Sequence, residues 1–405
     1  MPSHSLIKTR TYSTQKTMLI LGIILIAFNL RPAITAVGPL VSLIRADMGL
    51  SNSAVGLITT LPLVAFAVFS PLAPQIARRL GNEQALFLGL LVLIGGILIR
   101  SMKMSLVLFV GTILVGLGIA ICNVLLPALI KERFPQKVGL MTSVYSTAMV
   151  IFAALASGIS IPLAQGLSLG WQGTLRFWVI LVVLAIVVWL PQLHQSKQLL
   201  KQQDVKSLRH GLLFSPLAWQ VTFFMGLQSF CFYVTVAWLP EILCSYGLSI
   251  SLAGWMLSLI QFISIPTTFI APLLAERFPN QRKIIAVIGV LYLVGIGGLL
   301  VGRDIVLLTL SITLLGLGQG ASVSLAFTLF VLRTENGQQA AELSGMAQSI
   351  GYLLAAIGPM LIGLLYDQTH SWVEPLILLM VLSVLMTLAG LGAGRNCYVF
   401  PKVKD

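Results

Sequence analysis

Stretches of roughly 20 apolar residues, each long enough to cross a ~30 Å hydrocarbon layer as a helix, recur along the whole chain. Helices are the expected structure, because a chain in lipid has to satisfy its backbone hydrogen bonds internally. The stretches are too long and too continuously apolar for the alternating strands of a membrane β-barrel. They predict an all-α membrane protein with twelve transmembrane helices, at about residues 17–40, 53–73, 84–101, 105–128, 139–164, 172–191, 214–240, 249–273, 283–301, 305–331, 340–365 and 373–393.

Charged residues are few, and most of them lie on one side of this predicted bundle. Only 9% of the 405 residues are charged, against roughly 25% in a soluble domain. Nineteen Lys and Arg residues fall on one side and five on the other, and Arg31 alone lies inside a span. The positive-inside rule therefore predicts a multi-pass protein of the inner (plasma) membrane with both termini in the cytoplasm. The net charge of +13 does not indicate nucleic-acid binding, because no loop is long enough to form a basic domain.

Short sequence matches recur at a nearly constant distance of 198–200 residues. At an offset of 198, Gly49-Leu50-Ser51 returns as Gly247-Leu248-Ser249 and Ala73-Pro74 as Ala271-Pro272. Both copies start on the same side of the membrane, so the repeats are parallel and each has an even number of helices. The sequence predicts two pseudo-symmetric six-helix bundles, residues 1–191 and 214–405, joined by a polar cytoplasmic linker, residues 192–213.

Polar side chains concentrate in the first, fourth, seventh and tenth spans. The third span, residues 85–99, has none, and the sixth has only the indole N–H groups of its two tryptophans. Helices that face lipid should be apolar all round, whereas those that line a wet pathway keep polar groups. This pattern favours a central pathway between the two halves.

Arg31 is the most informative single residue. It lies about 14 residues into the first span, so ~21 Å along the helix, and a charge at that depth costs ~2.5–3.5 kcal/mol. No acidic residue lies near the middle of a predicted span, which suggests that a solute supplies the negative group. The alternative is that Arg31 caps carbonyls or pairs with Glu241. Thr35 lies one turn away on the same face, and Pro32 should kink the helix.

Seven further polar residues within the spans are candidates for solute contact. Their amides and phenols can donate and accept hydrogen bonds, and each is costly to bury in hydrocarbon without a partner. Hydrogen bonding between helices is an equally good explanation for any one of them. The candidates are Asn123, Tyr145, Gln228, Gln261, Gln319, Gln348 and Tyr352.

Several absences limit the mechanism. Every histidine falls outside the predicted spans, and the four cysteines show no paired or metal-ligand spacing. There is no phosphate-binding loop and no nucleophile beside a base, so we expect no enzyme, no metal and no cofactor. If transport is coupled to protons, the solute itself carries the proton or Glu241 titrates at the rim.

Five segments resemble the cyanate and 2-nitroimidazole transporter family of the major facilitator superfamily. They are NLRPAITAVGPL (29–40), NVLLP (123–127), WQVTFFMGLQS (219–229), AWLP (237–240) and LSGMAQS (343–349). The resemblance covers nearly the whole chain. It implies a transporter of small polar or anionic solutes that works by alternating access.

The loop after the second helix departs from the superfamily pattern. Its sequence is RRLGNE (78–83), with arginine where an acidic residue is usual. The family's charge network therefore cannot be carried over. The arginines Arg78, Arg79 and Arg277 are candidate gating residues, expected to pair with helix C-termini or with Glu83, Glu132 or Glu276.

Together these features predict a secondary transporter for a small anionic or compact polar solute, resembling cyanate or a nitroimidazole. It is expected to act as a monomer in the lipid bilayer. A multidrug exporter for larger amphipathic compounds is the alternative within transport. A solute sensor that has lost transport is the alternative from another class.

Overall fold

The computed structural model describes residues 3–194 and 209–400. In the N-terminal half the helices are α1 (Ser3–Asn29), α2 (Pro32–Thr35), α3 (Val37–Met48), α4 (Asn52–Phe69), α5 (Ala73–Leu80), α6 (Asn82–Arg100), α7 (Ser105–Arg133), α8 (Val138–Ile161), α9 (Gly170–Phe177) and α10 (Val179–Trp189). In the C-terminal half they are α11 (Arg209–Leu213), α12 (Pro216–Ser245), α13 (Ile250–Arg277), α14 (Arg282–Val301), α15 (Ile305–Leu332), α16 (Gly337–Thr369) and α17 (Val373–Ala393).

Twelve helical segments in the described ranges are long and apolar enough to cross a membrane. This number confirms the prediction of an all-α protein with twelve spans. Most of the predicted linker, at residues 195–208, and both chain ends, at residues 1–2 and 401–405, lie outside the described residues. The boundaries at residues 191 and 214 therefore stay a prediction.

The repeated Gly-Leu-Ser motif forms the same turn in both halves. Gly49 and Gly247 have positive φ angles of 63° and 94°, a region that glycine enters without a steric penalty. Two residues after each glycine, a serine (Ser51 or Ser249) accepts a hydrogen bond from the backbone N–H three residues later. This serine caps the N-terminus of α4 or α13. The repeat is therefore a helix stop followed by a helix start, and this local chemistry accounts for its recurrence.

The fourth and tenth spans, α7 and α15, form the buried centre of each half. Every residue from 118 to 130 of α7 is buried, and all but one of the corresponding stretch 318–331 of α15. By contrast α10 and α14 expose Ile180, Val187, Val287 and Val290, each more than half exposed. The apolar spans therefore lie at the periphery, as their composition predicts.

The two halves meet closely at one end of the molecule. We call this the basic end, defined by residues 78–83, 131–137, 277–283 and 333–336. Glycines allow the approach: a Cβ atom added at Gly139 would lie 2.6 Å from the Pro272 carbonyl oxygen, and one at Gly345 would lie 3.1 Å from that of Ser70. The opposite end, with residues 47–51, 101–104 and 166–172, is called the far end.

Candidate solute site

The first span is broken at Arg31. The helix α1 ends at Asn29, and Pro32, which has no N–H to donate, begins the single turn of α2. The break exceeds the predicted kink, and the span continues as α3 to Met48, beyond the predicted end near residue 40. As a result the arginine sits at the C-terminal end of α1, where the negative end of the helix dipole favours a cation.

The guanidinium of Arg31 is half-buried and faces the C-terminal half. Its Nη1 donates to the hydroxyl of Tyr233 on α12, 3.3 Å away, and Tyr352 on α16 is close enough to interact electrostatically. Within residues 3–194 and 209–400 no carboxylate lies within 4.0 Å of it, so the alternative of a pair with Glu241 is not observed. Among the described residues, the hydrogen bond to Tyr233 is the one observed for this guanidinium.

Side chains from neighbouring helices satisfy carbonyls around the break. Nη1 of Arg100, at the end of α6, donates to the Ala33 carbonyl at 2.6 Å. Pro39 has no N–H for the Thr35 carbonyl four residues earlier, and Ser157 of α8 donates to it at 3.1 Å. Thr35, a predicted solute contact, instead places its hydroxyl on the Arg31 and Ala153 carbonyls.

Arg100 lies at the C-terminal end of α6, the third span. It is 1% exposed, and its Nε and Nη2 have no hydrogen-bond partner in the described ranges. The sequence places Arg100 among the charges of the far side, at the end of the third span, and does not predict its burial. A buried helix end and an exposed one have the same local sequence.

Asn123 and Gln348 connect the two halves on the side of the site that faces the basic end. Pro127 lacks the N–H that would bond the Asn123 carbonyl, and Gln348 Nε2 of α16 donates to that carbonyl at 3.2 Å instead. The same Nε2 lies 2.8 Å from Ser344 Oγ. Both predicted residues therefore meet at the interface between halves.

Tyr145 and Tyr352 complete this cluster. Tyr352 is one turn beyond Gln348, its ring centroid lies 4.8 Å from that of Phe66, and it interacts electrostatically with both Arg31 and Tyr145. The Tyr145 ring centroid lies 5.8 Å from that of Phe327 on α15. Side chains from both halves thus surround the space next to Arg31. We call Arg31, Asn123, Tyr145, Tyr233, Gln348 and Tyr352 the central cluster.

The remaining predicted contacts lie outside the central cluster. Gln319 Nε2 donates to Thr235 Oγ1 at 3.1 Å, within the C-terminal half. Gln228 donates to Met225 and Ser229 of its own helix, and Gln261 is half-buried on α13. A cavity beside Thr235, lined by Tyr292 and apolar residues, has a volume of about 20 Å³, enough for a water molecule but not for an organic solute.

An ion pair joins the two halves at the basic end. Arg78 Nη1 lies 2.6 Å from Glu342 Oε1 of α16, and Glu342 is 3% exposed. The partner of Arg78 was not among the expected glutamates, since Glu83 pairs with Arg133 and Glu132 accepts from Asn82. Arg78 thus crosses between the halves. The gating role of Arg78, Arg79 and Arg277 stays a prediction, and Arg79 and Arg277 are exposed.

Two further hydrogen bonds link the halves near the basic end. Ser143 of α8 donates to the Phe269 carbonyl of α13 at 2.5 Å. Ser349 donates to the Ala67 carbonyl at 2.5 Å, and that carbonyl has lost its own helical donor to Pro71. The halves are therefore held together by side chains bonded to backbone below the central cluster.

At the far end, Asp47 accepts hydrogen bonds from three side chains on two segments of the N-terminal half, the loop before α7 and α9. Lys103 Nζ lies 2.5 Å from Oδ1, and Trp171 Nε1 lies 2.9 Å from Oδ2. Gln172 Nε2 also donates to Oδ2, at 3.3 Å. These hydrogen bonds, led by that from Lys103, hold the pKa of the Asp47 carboxyl below its ordinary value.

Sequence reasoning missed Tyr233, Arg100 and Glu342. The repeat held a signal for the first, because Tyr233 lies 202 residues after Arg31, close to the repeat distance of 198–200. The two residues therefore occupy comparable positions in the first helix of each half. No such signal pointed to Arg100 or Glu342.

Known proteins similar to this chain are transporters. A sequence model described as Major Facilitator Superfamily matches residues 19–356 and 221–394. The Uncharacterized transporter YycB of Bacillus subtilis is 53% identical, over 96% of this chain and 97% of its own. The 2-nitroimidazole transporter of Escherichia coli is 43% identical, over 94% and 96%, and its Cyanate transport protein CynX is 28% identical, over 86% and 89%.

Among solved structures, the proton:xylose symporter XylE bound to 6-bromo-6-deoxy-D-glucose has a TM-score of 0.72 to this chain. The match covers 95% of this chain and 96% of that one, at 15% sequence identity. At this identity the likeness concerns the fold alone.

Proposed function

Since the chain belongs to the major facilitator superfamily, we propose that it is a secondary transporter that moves a small anionic or compact polar solute by alternating access. It is a multi-pass membrane transporter and not an enzyme. Its relatives include a 2-nitroimidazole transporter and a cyanate transport protein. The solutes in these names are therefore the first candidates for the solute of this chain.

Arg31 is the observation that carries this proposal. A guanidinium inside a membrane span, without a carboxylate within 4.0 Å among the residues described, can pair with a negative or nitro group. Tyr233 holds it from the opposite half, so a solute there would contact both halves. A site shared by both halves is what alternating access requires, since the halves rock about it.

Sidedness follows from the charges. The basic end carries the loops rich in Lys and Arg, so we assign it to the cytoplasm of a plasma membrane. The ion pair of Arg78 with Glu342 and the bonds of Ser143, Gln348 and Ser349 then hold the cytoplasmic side closed. In this conformation a solute would enter or leave from the far end.

The test is solute flux into proteoliposomes that contain the purified chain, with and without a pH gradient. We expect flux of 2-nitroimidazole or cyanate that saturates. Arg31→Ala should reduce solute affinity about 100-fold, because a charge-assisted contact worth ~3 kcal/mol is lost. Arg31→Lys should recover only part of it, since an ammonium cannot form the same planar fork.

A matched control is Arg303→Ala, which removes an exposed arginine between α14 and α15 and should leave affinity unchanged at the central cluster. Unchanged affinity in folded Arg31→Ala would contradict the solute role of Arg31. Binding of lipophilic cations in preference to anions would favour a multidrug exporter. Binding without flux would favour a sensor. Solute flux in vesicles that contain a single chain each would support a monomeric transporter.

A further inference from the structure

The side-chain amide of Gln348 has a fixed orientation. A backbone carbonyl accepts hydrogen bonds and never donates, so only the NH₂ end can face the Asn123 carbonyl oxygen, 3.2 Å away. Oε1 must therefore point away from that carbonyl, at the other end of the amide. It is buried and has no hydrogen-bond partner among the residues that the structure describes. Gln348 thus presents a free acceptor.

Two neighbouring polar atoms are in the same condition. Asn123 Oδ1 and the Tyr145 hydroxyl are both buried and without a partner in the described part of the chain. Leaving a buried acceptor unpaired costs ~1–3 kcal/mol, and native proteins keep such groups rarely. Three of them at one interface indicate a place where a ligand completes the hydrogen bonding.

The two ends of the central cluster therefore have opposite character. Arg31, together with the Tyr233 phenol, offers donors and a positive charge. Gln348 lies one helical turn, ~6 Å, before Tyr352 on α16, toward the basic end, and offers an acceptor, as Asn123 does. A simple anion such as cyanate satisfies only the first end, because it carries no hydrogen to donate.

We infer that the solute is a compact molecule with a negative or nitro-type acceptor at one end and an N–H or O–H donor at the other, and that Gln348 Oε1 receives this donor. This inference rests on the proposed function and narrows its solute class. It makes Gln348 a specificity-determining residue. A solute without a donor leaves the amide oxygen unpaired and binds more weakly.

The first experiment compares solutes on the unmodified full chain by isothermal titration calorimetry in detergent. The probes are 2-nitroimidazole and 1-methyl-2-nitroimidazole, whose methyl group replaces the N–H. We expect the methylated compound to bind at least about tenfold more weakly. The steric control, 4-methyl-2-nitroimidazole, carries the methyl on carbon and keeps the N–H. Its Kd should stay within about threefold of that of 2-nitroimidazole.

The second experiment assigns the acceptor. Gln348→Met should weaken 2-nitroimidazole to the level of its N-methyl analogue, while the Kd of the analogue changes less than about twofold. The control is Gln220→Met, since Gln220 lies near the basic end and accepts from Arg395. That variant should keep the full preference for the N–H compound.

The outcomes separate this inference from the proposed function. Equal binding of the N–H and N-methyl compounds overturns the inference and leaves the proposed function standing. Equal loss of both compounds in Gln348→Met overturns the assignment to Gln348. If neither the nitroimidazoles nor cyanate bind the unmodified chain, both the proposed function and this inference are wrong. The comparison of solutes needs no variant. It therefore tests whether the solute must donate a hydrogen bond even if Gln348→Met does not fold.

Discussion

The first helix of the N-terminal half is broken, whereas the first helix of the C-terminal half is continuous. The N-terminal segment is interrupted after Asn29 and again at Ala36. In contrast α12 runs unbroken over 30 residues, although it contains Pro240. Arg31 and Tyr233, at comparable positions in the two helices, meet where the halves face each other.

The hydrogen bonds of the two helices explain the difference. Around the break, the carbonyls of Ala33, Thr35 and Ala36 receive donors from Arg100, Ser157 and Ser160 on other helices. In α12 the hydroxyls of Thr222 and Thr235 bond carbonyls of their own helix. A break in lipid is therefore stable only because α6 and α8 supply donors to it.

This comparison shows how a pseudo-symmetric protein makes an asymmetric site. The broken helix places a cation at a helix C-terminus, where the dipole offsets part of its desolvation. The continuous helix places a neutral phenol opposite. Repeats with one architecture thus contribute different chemistry to the same centre.

The largest effect is expected from exchanging the two residues, in the double variant Arg31→Tyr with Tyr233→Arg. Both groups remain, but the guanidinium would leave the end of α1 for the middle of α12, where no helix terminus stabilises it. The affinity for 2-nitroimidazole should fall about 100-fold, measured by calorimetry. Retention of affinity within about tenfold would mean that the break is not needed to place the charge.

A smaller effect is expected from Arg100→Met. It removes the donor to the Ala33 carbonyl, so α2 should shift and the solute affinity should fall about tenfold. Arg100→Gln keeps an N–H donor and should stay within about threefold of the unmodified chain. The control is Arg303→Met, an exposed arginine at the far end of the C-terminal half. Equal losses in the Met and Gln variants would show that charge, not the hydrogen bond, matters.

The smallest effect is expected at Asp47, near the end of the broken span; the comparable residue in the C-terminal half is Ser245. The pKa of Asp47 is lowered from its ordinary value of 3.8, chiefly by Lys103. Its contribution to stability is therefore present above pH 3.8 and is lost as the pH falls through the lower folded pKa.

Asp47→Asn should lower the melting temperature slightly at pH 7, and the difference from the unmodified chain should shrink as the pH falls below 3.8. Differential scanning fluorimetry at pH 7, 5, 4 and 3 measures it. Ser245→Ala, which removes a hydroxyl bonded within its own helix, should show no such pH dependence. A difference as large at pH 3 as at pH 7 would show that the carboxylate charge is not the cause.

Sequence reasoning predicted the twelve spans, and it also predicted the parallel repeat and a solute role for Arg31, which stay predictions. These depend on local patterns: apolar length, the Gly49 and Gly247 turns, and a charge inside a hydrophobic stretch. The pairing of Arg78 with Glu342 could not be predicted, because 264 residues separate the partners. Such contacts depend on how each helix is rotated and tilted against its neighbours, which its own sequence does not specify.

The prolines Pro71 and Pro127 have a consequence for how the chain is assembled. The carbonyls of Ala67 and Asn123 lack a donor in their own helices and receive one from Ser349 and Gln348. These donors are synthesised more than 200 residues later, after most of the chain has entered the membrane. The carbonyls of Ala67 and Asn123 in the first half therefore lack these donors until α16, the eleventh span, inserts beside them.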